Sequence, residues 1–144
     1  MDHATPESLP LWFPFFFVAL WLVVGALLGA LGGWPRLAQR FRAAVRPTGS
    51  AIKSQVLSIG IVPEHGVTHM LPSEAGLYLW VNPLFRFLHP PLLIPWAEIT
   101  AVREVKTFWW KTFELNVAGV TTIAVTRRAH ELLRPYLQVP ASAA

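Results

Sequence analysis

The chain contains no cysteine. A disulfide framework, a thiolate zinc site and a thiol nucleophile are therefore excluded, and cysteine usage carries no redox argument about the compartment. Charge is scarce as well: 14% of the residues are charged against 53% hydrophobic, with a mean hydropathy of +0.44. That balance excludes intrinsic disorder and is too apolar for an ordinary soluble domain of 144 residues. One modest folded domain plus a membrane segment is expected, and two large domains are excluded.

Signals for chemistry are missing too. There is no Gly-rich phosphate loop, no Ser-centred elbow and no convincing carboxylate pair. His65 and His69 are four residues apart, a metal-ligand spacing only on a helix, and their surroundings read as turn and strand. His89, followed by two prolines, reads as a loop or edge residue rather than a catalytic base. The sequence thus predicts no catalytic residue, no metal and no cofactor, and a non-enzymatic protein.

The charges that are present fall unevenly. Residues 1–35 hold Asp2 and Glu7 and no Lys or Arg, whereas residues 36–46 hold Arg36, Arg40, Arg42 and Arg46 and no acid. The net charge of +4 is thus concentrated just after the apolar segment, which argues for a juxtamembrane cluster and against a nucleic-acid partner.

Ser8 to Pro35 carries no charge, and Leu9 to Leu31 is almost wholly apolar. As a helix rising about 1.5 Å per residue it is long enough for a hydrocarbon core of about 30 Å. Trp12 and Trp34 would lie roughly 33 Å apart on such a helix, one indole at each membrane interface. Pro10 and Pro14 fall in its first turns, where a missing amide donor costs least. A cleaved signal peptide would begin with basic residues and have an apolar core of about 7 to 15 residues; this segment starts acidic and is longer. The four arginines place the C-terminal side in the cytoplasm and the N-terminus outside, as in a single-pass anchor of the inner (plasma) membrane.

Gly25, Gly29 and Gly33 recur every four residues and would form a stripe on which another transmembrane helix, from a second copy or a different protein, can pack. Glycine is also simply frequent in such helices. Between Arg36 and Arg46, Leu37, Phe41, Ala44 and Val45 follow helical spacing, amphipathic enough to lie along the inner leaflet. The positive-inside effect alone equally accounts for the arginines. Pro47 to Ser50 break the pattern. The organisation read from the sequence is therefore an extracytoplasmic N-terminus over 1–8, a transmembrane helix over 9–34, a basic juxtamembrane segment over 35–50, a β domain over 51–139 and a tail over 140–144.

From residue 51 the period becomes alternating, with turn residues every 6 to 12 positions. Strands are predicted at 55–62, with Leu57, Ile59 and Ile61 on one face, and at 67–71, 77–81, 85–88, 92–94, 99–106, 112–117 and 121–125. Pro63 to Gly66 and Pro72 to Gly76 read as turns, and Ala118-Gly119 as a tight hairpin. Thr126 reads as an N-cap for a closing helix with Ala129, Leu132, Leu133 and Tyr136 on its apolar face, bent or ended by Pro135. The expected fold is a small antiparallel sandwich or partly open barrel with a C-terminal capping helix.

The segments Gly76-Leu77-Tyr78-Leu79, Ile94-Pro95-Trp96-Ala97-Glu98-Ile99 and Thr122-Ile123-Ala124-Val125 resemble the pleckstrin-homology-like superfold, its bacterial and GRAM-type members in particular, over roughly residues 52–138. The resemblance implies a PH-like domain behind a membrane anchor and, by family habit, binding of lipid headgroups. Phosphoinositide binders of that family use a basic cluster in the first hairpin, where this chain has Pro63-Glu64-His65-Gly66 and no Lys or Arg.

The most unusual local feature is Lys106-Thr107-Phe108-Trp109-Trp110-Lys111. Three adjacent aromatics in a strand connection cannot all face one core, so at least one is expected at the surface, where indole beside lysine suits a membrane interface or a protein contact. The competing arrangement packs Phe108 and Trp110 inward, with Trp109 over a neighbouring strand. The sequence leaves two functional classes: a membrane-tethered PH-like module that reads lipid or a protein partner, and a small structural or assembly subunit of a larger membrane complex.

Overall fold

A computed structural model describes residues 9–53, 56–63, 68–86, 89–138 and 141–143. Asp2, Glu7, His65 and most of the 63–66 turn lie outside these described residues. Helix α1 (Phe13–Leu31) begins after a turn in which the Phe13 amide donates to the Pro10 carbonyl at 2.8 Å. It is long and apolar enough to cross a membrane, and none of its apolar window is buried.

The chain breaks at Gly32-Gly33 and re-enters a short helix, α2 (Trp34–Phe41), with Pro35 in the first turn, where its missing donor is harmless. Trp34, Leu37 and Phe41 share one face and are buried in the core of the β domain, while Arg36, Gln39 and Arg40 face out. This corrects the expected boundary at residue 51. The apolar face of the 35–50 segment has a protein core to enter and is not free to lie on a leaflet. After α2 the chain forms a strap over the three-stranded sheet: the Ala43 amide donates to Pro91 at 2.8 Å, Arg42 bridges Leu92, and Ile52 and Met70 exchange hydrogen bonds of 2.7 and 3.0 Å.

Strands β1 (Val56–Ile59), β2 (Val62–Pro63), β6 (Ile99–Thr107), β7 (Trp110–Val117), β8 (Thr121–Thr126) and β9 (Ala141–Ala143) make one sheet in the order β2-β1-β8-β7-β6-β9. Strands β3 (Thr68–Ser73), β4 (Gly76–Val81) and β5 (Leu92–Ile94) make the other, and the two do not merge into a closed barrel. Pairing is antiparallel except at β9, which joins β6 in parallel. β7 and β8 show the alternation of a half-buried sheet, with Phe113, Leu115, Val117, Ile123 and Val125 inward. Central β4 is instead buried almost throughout, because the strap covers its outer face. Helix α3 (Arg127–Leu133) contacts β7 and β8 and is capped by the Thr126 hydroxyl, which accepts from the Ala129 amide at 3.2 Å. A small mainly-β domain with a C-terminal helix, preceded by one long apolar helix, is thus what the sequence folds into.

Several local expectations are corrected. Phe85 and Arg86 do not begin a strand: the Asn82 side chain accepts from the Leu84 amide at 3.3 Å and, with Pro83, winds Pro83–Phe85 into a 3-10 turn, and the rest of the expected 85–88 strand lies outside the described residues. Ile61 is 84% exposed rather than inward, because Gly60 turns the chain between β1 and β2 and a bulge at Val56/Ser58 resets the face. Pro72 and Ser73 belong to β3, leaving only Glu74-Ala75 as the turn. On α3 the third inward residue beside Ala129 and Leu133 is His130, whereas Leu132 faces out and Tyr136 lies beyond the helix, stacked on Trp96 at 5.2 Å.

Candidate functional site

β6 and β7 form a long hairpin whose outermost pair is Thr107 and Trp110, so Phe108 and Trp109 alone make the turn. A two-residue turn needs backbone geometry that matches the strand twist. Here it is supplied by Phe108 at φ 52, while Trp109 is not in the positive-φ region. That pattern is the one in which glycine is preferred at the first position, and an aromatic residue there is strained. At the neighbouring β7–β8 turn the local chemistry is ordinary: Ala118 at φ 46 and Gly119 at φ 69 give the turn with both central residues positive.

All three aromatics are at the surface, Phe108 at 83%, Trp109 at 80% and Trp110 at 64% exposure. Their rings form a chain, 5.9 Å from Phe108 to Trp109 and 6.4 Å from Trp109 to Trp110. The inward arrangement of Phe108 and Trp110 is therefore not adopted. Lys106 and Lys111 face each other across the strands, and Lys111 is neutralised by Glu104 at 2.9 Å. The hydrogen bond from Lys111 holds the Glu104 carboxyl below its usual range, with the charge of the same lysine helping. Lys106 has no carboxylate within ion-pair distance among the described residues. The tip thus presents an aromatic ridge with one uncompensated cation.

The same strand fixes the tip's distance from the foot of α1. At its other end Val117 pairs with Thr121, and Thr121 lies against Gly33. The seven steps from Trp110 to Val117, at about 3.4 Å each, separate the two ends by roughly 24 Å along the strand.

The residues expected on the membrane segment divide. Trp12 stands at the start of α1, 61% exposed and edge-on to Phe16. Trp34 is not an interfacial indole: it is 1% exposed, donates from Nε1 to the Pro90 carbonyl at 3.0 Å and meets the His89 ring at 5.3 Å. Gly33 is likewise outside α1, where a side chain would run into Thr121, so this member of the glycine stripe packs on its own domain. Gly29 faces the His89 ring, and Gly25, one turn earlier on α1, is half-buried. Arg40 pairs with Glu98 at 3.4 Å, Arg46 lies over the Trp80 ring, and Arg36 and Arg42 are exposed.

His69 sits on β3 rather than on a helix, and no group of three His, Asp or Glu residues that could hold a metal occurs among the described residues. Sequence reasoning missed the apolar edge where Phe85 meets Trp21 of α1 at 5.9 Å with Leu84 exposed beside it; its only signal was the density of Pro, Leu and Phe from 83 to 88. Comparison with protein-family models, curated proteins and solved structures finds no match, so the functional reading rests on this geometry.

Proposed function

We propose that the chain is a membrane-anchored, non-enzymatic interaction module. In this reading α1 crosses the inner (plasma) membrane with its N-terminus outside, and the β domain, PH-like in its two sheets and terminal helix, is held at the cytoplasmic surface. The Phe108–Trp110 tip is the contact surface and its partner is a protein. The observation that carries the reading is the strained, exposed aromatic turn, since exposed indole is unfavourable unless something covers it and a strained backbone of this kind recurs at functional sites. Exposed aromatic ridges are what central contact residues of protein interfaces look like.

A second reading, a structural or assembly subunit of a larger membrane complex, is favoured by a different observation. The apolar surface of α1 continues sideways onto Leu84 and Phe85, and Gly25 stands on the same helix one turn before Gly29. Co-purification in mild detergent separates the two. With a partner at the tip, Trp109→Ala abolishes its recovery and Gly25→Leu does not; a helix-packed subunit gives the reverse.

A further inference from the structure

The outer face of the three-stranded sheet carries a second concavity that the tip does not involve. It is an open cavity of about 560 Å³, walled by Arg42 and Arg46 of the strap, floored by Tyr78 and Trp80 of β4, and closed by Arg86 and His89 of the β4–β5 loop. The Arg46 guanidinium lies 4.5 Å from the centre of the Trp80 ring, held by the aromatic face and not by an acid. The described ion pairs engage Arg40, Arg103, Lys111 and Arg127, so Arg42, Arg46 and Arg86 have no carboxylate partner among the described residues.

The walls are fixed by the backbone. Arg42 is bridged to Leu92, Ala43 is bonded to Pro91, and the His89 ring is held between Trp34 and the Phe85 carbonyl, 3.3 Å from its Nδ1. Topology signalling accounts for Arg42 and Arg46 but not for Arg86, which comes from a distant part of the sequence and is brought to the same cavity by the fold. Three arginines lining one cavity with no counter-charge make a strong field for an anion, and their planar donor forks match phosphoryl oxygens.

The loop that supplies Arg86 and His89 also runs beside α1. Phe85 packs on Trp21, and His89 faces Gly29. Trp21 precedes Leu31 by ten residues, roughly 15 Å along the helix axis, so the loop rises along the apolar surface of α1 with Leu84 78% exposed.

We infer that Arg42, Arg46 and Arg86 form a site for a phosphoryl group, and that its source is the headgroup of an anionic phospholipid whose acyl chains lie along α1 and the Leu84–Phe85 edge. The phosphoryl chemistry rests on the cavity alone; the lipid source rests on the proposal above that α1 crosses a membrane.

The test is native mass spectrometry of the full chain in a neutral detergent, titrated separately with phosphatidylglycerol, phosphatidylcholine and inorganic phosphate. The variant R42Q/R46Q/R86Q is compared with R103Q/R128Q/R134Q, which removes equal charge elsewhere. Phosphatidylglycerol adducts should persist in the wild type and the control and weaken at least tenfold in the cavity variant, with phosphatidylcholine binding equal in all three. R86Q alone, at an exposed loop position, should weaken the adduct severalfold and covers the case in which the triple variant does not fold. Inorganic phosphate that binds in the same cavity-dependent way and displaces the lipid keeps the site and makes a soluble phosphate compound its ligand. Equal phosphatidylglycerol binding by cavity variant and control, with no cavity-dependent phosphate binding, overturns the site. Because the readout needs no bilayer, a failed anchor topology would leave this result standing, and a failed site would leave the anchor standing.

Discussion

Gly33 and Thr121 meet so closely that a Cβ at position 33 would collide with the threonine side chain. Gly33 has an ordinary φ of −71, so the requirement is for space alone. Through this contact the chain just after α1 is seated on the start of β8, next to the β1–β2 turn at Gly60. Gly33→Ala should therefore cost about 1 to 3 kcal/mol by overpacking, whereas Gly29→Ala, whose added methyl would meet the His89 ring only at ordinary contact distance, should be nearly neutral. Thermal unfolding of the two variants in the same detergent checks this. Equal melting temperatures would mean that the junction is loose.

Trp34 gives a second stability prediction. Its indole is buried and hydrogen-bonded to Pro90, so Trp34→Phe should destabilise the domain by about 1 to 3 kcal/mol through the lost bond and the unfilled volume. An interfacial indole would tolerate phenylalanine. A denaturation midpoint that does not move would return Trp34 to the membrane interface.

The turn at Phe108 predicts opposite effects on stability and binding. Phe108→Gly relieves a residue at φ 52 and should raise domain stability by about 1 kcal/mol, while removing one ring of the ridge and weakening partner recovery. A variant that melts lower, or that recovers the partner undiminished, would show that the ring serves the fold and not the contact.

Acid should weaken the domain through His130. Its ring stacks on Phe113 with centroids 3.8 Å apart, and burial, reinforced by Arg134, holds its pKa below the ordinary imidazole range; Glu131 and Glu104 oppose this more weakly. His69 is shifted the same way by burial and then by Lys53. Over the interval between the lowered pKa and the unfolded value of about 6.5, the unfolded chain binds more protons. The stabilisation is complete above that value and is lost as pH falls below it. Melting temperature should drop from pH 7 towards pH 5, and His130→Phe should flatten the drop. A flat profile in the wild type contradicts the assignment.

What was legible in the sequence was what is decided locally. The Thr126 cap, the Ala118-Gly119 turn and the alternation of β7 depend on residues within a few positions of one another, and all appear as expected. Trp34 was misread because its spacing from Trp12 imitates an interfacial pair, whereas its true partner is a carbonyl 56 residues away. The amphipathic face of α2 was visible, but which apolar medium it enters is decided by the strap and sheet around it. The parallel pairing of β9 with β6 had no local signal. At the candidate site the exposure of one aromatic was derivable from alternation; the exposure of all three needed the hairpin register that puts Phe108 and Trp109 in the turn.

The central claim, that the aromatic tip of an anchored domain engages a protein, is tested most directly by a photo-crosslinking amino acid placed at Trp109 in the full chain, in its native membrane. The account predicts a discrete protein adduct at position 109 that is absent when the probe stands at Ala97, an exposed position outside the hairpin. Adducts with lipid alone, or protein adducts equal at both positions, would contradict it.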